Sequence, residues 1–177
     1  MHAIHIAPWV VGYTVAWLIS VWSFFGLSTS SFYNRLQLPT FSAPRLIHAL
    51  STTIAMSLQA AACVLINTNL EEWNRCLTAQ VVSLATFTVG NFIFFRMQMI
   101  SSVVVILMAV ASSFQVWSWL TSIYIGQDEA SWLIFFPMLW LLYLSGLHFV
   151  VWVKNRRLSK SRDVETPQGN GHDDVDE

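Results

Sequence analysis

His48 and His148 are the side chains of this sequence best equipped for chemistry, because each sits in a long uncharged run with few other polar atoms nearby. A neutral imidazole carries one N–H donor and one lone pair, so it can orient a polar ligand, bind a metal or haem iron, or satisfy itself by packing and hydrogen bonding. The packed, hydrogen-bonded imidazole is the simpler reading of both, with ligation as the alternative. Residues at helical steps surround them. Trp140, Leu144 and His148 lie four apart and share one helix face, while His48, Thr52, Ala55, Gln59 and Cys63 form a polar stripe at three- and four-residue steps. In hydrocarbon such a stripe faces protein or a cavity rather than lipid. Trp140, His48 and His148 are therefore expected to line one cavity. Acid–base catalysis has no visible machinery: every Asp and Glu falls in a loop or the tail, and no HExxH, GxSxG or Gly-rich phosphate loop occurs. Cys63 and Cys76 give neither a metal nor a disulfide framework and read as inert thiols. The chain is not expected to be an enzyme or to require a metal or cofactor.

The elements that must position these residues are membrane spans. Over 177 residues the chain is 55% hydrophobic, 14% aromatic and only 11% charged, which excludes an ordinary soluble domain. The charges punctuate five apolar runs, at about 7–27, 46–66, 77–95, 99–125 and 132–153, each near the ~20 residues that cross a bilayer. The fold class expected is an all-α membrane protein, a five-transmembrane-helix bundle over residues 1–155, followed by a disordered cytosolic tail over 156–177. The first flank, MHAIHIAP, has no Lys or Arg, so the first run reads as an uncleaved helix rather than a signal peptide. With the N-terminus out and the C-terminus in, eight basic residues fall on the cytosolic side against Arg75 alone on the other.

Between the first two runs, Pro39 and Pro44 each lack a backbone N–H and push the preceding residue toward extended geometry. Leu36 to Ala43 must then be a stiff, shaped connection leading straight into the helix that carries His48. Pro39, Phe41 and Pro44 mark it as a lid over the cavity mouth. Pro137 is expected to kink the fifth span.

The stretch FYNRLQLPTFSAPRLI, residues 32–47, resembles the aromatic-Tyr-x-x-Leu-x-x-Pro-x-aromatic-x-x-Pro loop of the translocator protein family, also called tryptophan-rich sensory proteins or peripheral benzodiazepine receptors. Asn91-Phe92-Ile93-Phe94-Phe95 is similar to the end of that family's third helix, and Trp140, Leu147, Trp152 and Asn155 match spaced residues of its fifth. The resemblance spans about Phe32 to Asn155. The chain departs from the pattern where the family has Gly-Pro-x-Trp early in helix two, reading Ala49-Leu50-Ser51-Thr52 instead, and where a family Asn becomes His148. What the resemblance implies is a five-helix bundle around a pocket for an apolar polycyclic ligand such as porphyrin or haem, a sterol or a benzodiazepine-like compound, with a role in its transport or sensing. His48, Thr52, Trp140, Leu144, Leu147 and His148 would be the ligand-binding set, and Leu147, Phe149 and Lys154 a partial counterpart of the family's sterol pattern. The resemblance also implies the outer mitochondrial membrane, with the endoplasmic reticulum or another intracellular membrane as the alternative location.

The expected partners are the bilayer and a small apolar ligand, with a homodimer left open and no nucleic acid. The competing reading is a small multi-pass scaffold or enzyme subunit acting through protein–protein contacts.

Overall fold

Pro39 and Pro44 break the helix where their chemistry requires it. In the computed structural model, which describes residues 3–27, 35–67 and 73–164, the segment from Leu36 to Ala43 is free of helix. It contains a tight turn closed by Ser42 N–H donating to Pro39 O at 3.0 Å. Before it runs α1 (Ala3–Leu27), and after it α2 (Arg45–Asn67), α3 (Trp73–Asn91), α4 (Ser102–Tyr124) and α5 (Asp128–Val164). All described regular structure is helical. Four stretches are long and apolar enough to cross a bilayer: Arg45–Ile66, Arg75–Arg96, Ser102–Tyr124 and Asp128–Arg156. The apolar part of α1, Ala7–Trp22, is shorter than these.

The helices close a ring. α1 packs on α2 and α3, α2 on α5, α5 on α4, and α4 on α3. The outside of that ring is apolar, with Trp22, Leu46, Ile106 and Trp132 exposed, whereas glutamines, serines and His148 are buried inside. An apolar exterior over a partly polar interior is the arrangement that a lipid solvent favours. α3 and α4 approach closely at Gly90, where a Cβ would come within 3.1 Å of Met108 Cε and 3.4 Å of Leu107 Cβ. Gly126, at φ +71, ends the turn between α4 and α5 in the left-handed region that glycine adopts most readily.

Three expectations about extent change. Met99 to Ser101 lie outside α4, because the connection from α3 passes through Gln98 at φ 55 and cannot be helical there. The third run does not stay α-helical to its end: Phe92–Arg96 is a π-helical turn, with Met97 N–H donating to Phe92 O. α5 also continues to Val164, beyond the expected start of disorder at residue 156. Its last turns are rich in Lys, Arg, Leu and Ser with no Gly or Pro, so no residue there forces the helix to end. Phe32, Tyr33, Glu71, Glu72 and the tail from residue 165 lie outside the described residues.

Candidate functional site

The non-helical segment from Leu36 to Ala43 is fastened to α5 at two points. Tyr143 accepts a hydrogen bond from Ala43 N–H at 2.8 Å and donates to Phe41 O at 3.2 Å. A little over three helical turns further stands Asn155, fully buried, whose Oδ1 accepts from Gln37 N–H at 2.9 Å and whose Nδ2 donates to Gln37 O at 3.2 Å. A non-helical segment needs side-chain partners for its backbone, and these two residues supply them. Phe41 is half exposed and meets the Tyr143 ring edge-on, while Pro39 is buried.

Beneath the segment is a cavity of about 30 Å³, lined by residues that include Leu38, Ser42, His48, Phe95, Leu147 and His148. Its walls are rings. His48 stacks on Phe24 at 4.7 Å between centroids and meets Trp140 edge-on at 5.5 Å; Phe94 meets His148 at 4.8 Å. Phe94 and Phe95 are consecutive and both buried, which a regular α-turn does not favour. The π-helical turn widens the helix at that point and brings both rings inward, a deviation often found at functional sites.

His148 has a defined tautomer. Its Nδ1 lies 2.8 Å from Leu144 O, a carbonyl that can only accept, so Nδ1 carries the proton and Nε2 the lone pair. Nε2 is buried without a partner among the described residues. His148 thus presents an acceptor, unpartnered among the described residues, inside an aromatic cage. Among the described residues, no three His, Cys, Asp or Glu side chains cluster as a metal site would require.

The residues expected to share one cavity are spread over three small spaces. His48, Leu147 and His148 line the space beneath the segment; Thr52 and Trp140 line one of about 10 Å³ with Gln59, Ser83, Phe87 and Pro137; and His48 and Thr52 together line another of about 10 Å³. Trp140 does not line the space that holds His148: its Nε1 donates to Thr52 Oγ1 at 3.1 Å while its ring meets His48 edge-on and stacks on Tyr143. Leu144 lines none of the three; it is fully buried in the core and contributes its carbonyl to His148. Leu147, Phe149 and Lys154 are not brought together. Leu147 faces the cavity, Phe149 is half exposed against Trp152, and Lys154 is exposed.

Sequence reasoning missed a second polar centre. Gln59 Nε2 donates to both Gln80 and Gln115; Tyr13 OH donates to Gln80 Oε1 at 3.2 Å, and Gln80 Nε2 to Ser118 Oγ at 2.8 Å. Ser83, Cys63 and Cys76 complete the cluster. It joins α1, α2, α3 and α4 at one level. The signal was present, since Cys76, Gln80 and Ser83 on α3, and Gln115, Ser118 and Ser122 on α4, repeat the three- and four-residue spacing visible in α2. Trp17, on the same face of α1 as Tyr13, donates to Thr53 at 2.9 Å. No protein-family model matches the chain, and no characterised protein matches it in sequence comparison.

Proposed function

We propose that this chain is a five-span membrane protein, N-terminus out and C-terminus in, that binds an apolar polycyclic ligand beneath the lid segment and carries or senses it. The observation that supports this reading most is the aromatic cage: Phe24, His48, Phe94, Phe95 and His148 surround a cavity roofed by a segment that is latched rather than packed in a helix. Apolar walls with a few placed polar groups suit a small apolar molecule. Among the described residues the cavity lining carries no carboxylate or amine, and the reading assigns binding to it. The resemblance to the translocator family adds porphyrin and sterol as the ligand classes to try, and the outer mitochondrial membrane as the first place to look.

At about 30 Å³ the cavity is far smaller than the ~300 to 1,000 Å³ of typical ligand pockets, so on this reading the segment must open to admit a ligand. Opening requires release of the contacts at Tyr143 and Asn155. Each such hydrogen bond is worth roughly 0.5 to 1.5 kcal/mol net, which places an open form within reach of a ligand that favours it.

Titrating the purified protein in nanodiscs with protoporphyrin IX and with cholesterol, while following tryptophan fluorescence, tests the reading. Saturable quenching by either supports it. Absence of saturable quenching by both removes it and leaves a scaffold. The orientation is tested separately by protease or tag accessibility of the tail relative to residues 36–43; finding them on opposite sides rejects the topology.

A further inference from the structure

The outer face of the bundle carries a groove of about 410 Å³ between α3 and α4, lined by Arg75, Thr78, Ala79, Phe114 and Trp117. That volume lies within the range of ligand sites, whereas the space beneath the segment from Leu36 to Ala43 is about 30 Å³. Cys76 sets the register, for its Sγ lies 3.1 Å from Ser118 Oγ, so the start of α3 runs beside the last two turns of α4. Arg75 therefore stands level with Trp117, near the end of both spans. Aromatic rings mark the same end: Trp117, Tyr124 and Trp132 are 53%, 87% and 76% exposed, as indole and phenol rings are where a protein meets lipid headgroups.

The groove has an apolar wall and a polar rim. Phe114 and Trp117 stack with centroids 5.8 Å apart at 25°, and across from them Ala79 is small and buried, which leaves room between the helices. Arg75 and Thr78 are exposed and, three residues apart on α3, share one face. Arg75 forms no ion pair with a described carboxylate. A guanidinium keeps its charge at a membrane surface, and its planar fork of donors matches the oxygens of a phosphate.

We propose that this groove holds one glycerophospholipid of the surrounding leaflet, with its phosphate on Arg75 and Thr78 and one acyl chain along Phe114 and Trp117. Charge complementarity selects this occupant. The phospholipid carries its anion at headgroup level, where Arg75 stands, and its chain at the depth of the rings; a basic rim over an apolar cleft between spans is how headgroups are held. A partner helix laid in the same groove would have to bring its own anion to that depth, at a cost that a lipid does not incur. The inference needs only the membrane setting and is independent of any ligand beneath the segment from Leu36 to Ala43.

The test is native mass spectrometry of the full chain released from detergent micelles, titrated with dioleoylphosphatidylcholine and with dioleoylglycerol, which has the same two chains and no phosphate. The phospholipid is expected to saturate at one per chain and to bind about tenfold more tightly, the worth of a charge-assisted hydrogen bond. Arg75→Gln should erase that preference, whereas Arg96→Gln, at an exposed cation on the other end of the same span, should keep it. Trp117→Ala is the second variant and should weaken both lipids about fivefold by removing the wall for the chain. Equal binding of the two lipids to the unaltered chain overturns the site, as does a preference that survives Arg75→Gln, one lost equally in Arg96→Gln, or a Trp117→Ala chain that binds both lipids as before. Binding that rises without saturating is bulk lipid on an apolar surface, and a dimer that excludes lipid is a second copy in the groove; either result also overturns it.

Discussion

The interior of this bundle has two regions built on opposite principles. Beneath the segment from Leu36 to Ala43, rings from α1, α2, α5 and the π-helical turn meet at 4.7 to 6.4 Å in stacked and edge-on pairs. Halfway along the bundle, Gln59, Gln80 and Gln115 are joined by directional hydrogen bonds with Tyr13, Ser83 and Ser118. Ring contacts are worth about 0.5 to 1.5 kcal/mol and tolerate sliding. Amide bonds fail when a helix shifts by an ångström or turns, so they hold four helices in one register. The lesson is a division of labour: the amide level fixes the frame, and the ring level can rearrange within it.

The sharpest way to break that comparison is to remove one buried residue from each level. Gln80→Leu deletes the bonds to Tyr13, Gln59 and Ser118 and leaves those groups unpaired, for an expected loss of about 3 kcal/mol in unfolding from detergent. Phe95→Leu, equally buried, loses ring contacts with Phe24 and His48 and should cost about 1 kcal/mol. Porphyrin affinity should follow the reverse order, falling in Phe95→Leu and staying level in Gln80→Leu protein that has folded. If the two variants rank the same way in both measurements, the division is wrong.

Gly90 offers a test of the frame without touching a hydrogen bond. A valine there would set its Cβ 3.1 Å from the flexible end of Met108, which must give, and its two methyls would add bulk beside Leu107, whose Cβ is already in contact at 3.4 Å; overpacking of this kind costs about 1 to 3 kcal/mol. Thermal unfolding of Gly90→Val in detergent should show that loss, with porphyrin binding unchanged at temperatures where the protein remains folded. A stability equal to that of the unaltered chain would show that α3 and α4 are not tightly apposed.

The two levels were also unequally legible. Apolar runs between charges placed the helices, because a bilayer sets both their length and their lack of charge. Pro39 and Pro44 placed the break before α2 for a steric reason internal to the residue. The stripe of His48, Thr52, Gln59 and Cys63 does face inward, as the cost of polar groups in lipid demands. What could not be read was pairing between helices: nothing in the spacing of Trp140 tells that its indole N–H is tied to Thr52, away from the space that holds His148. The π-helical turn was invisible for a similar reason, since Phe94 and Phe95 read as an ordinary pair until packing rewards the wider turn. Gln80 and Gln115 were a different failure, for their spacing was visible and the same argument applied to α2 would have found them.

The lid latches should show a smaller effect than either core. Tyr143→Phe keeps the stacking on Trp140 at 5.0 Å but leaves Ala43 N–H and Phe41 O without their partner. A loss of about 1 kcal/mol from the closed form raises the population of the open one roughly fivefold. Limited proteolysis within residues 36–43 should accelerate by that factor, and protoporphyrin should associate faster, with little change in global unfolding. Unchanged cleavage would mean that the Tyr143 bonds do not hold the segment, leaving Asn155 and the packing of Pro39 and Leu38 to do so.

The smallest expected effect decides where recognition sits. Leu147, Phe149 and Lys154 carry a partial sterol pattern in sequence, but only Leu147 faces the cavity; Phe149 lies half exposed against Trp152, and Lys154 is exposed. If ligands are bound inside the bundle, Phe149→Leu and Lys154→Ala should each change cholesterol affinity by no more than about 0.5 kcal/mol, roughly twofold, as expected for surface substitutions away from a site. Leu147→Ala removes three carbons from the cavity wall and should weaken binding by more than either. A tenfold loss in Lys154→Ala with no change in Leu147→Ala would move sterol recognition from the ring-lined interior to the lipid-facing surface of α5, and the comparison of two interiors would then say nothing about that ligand.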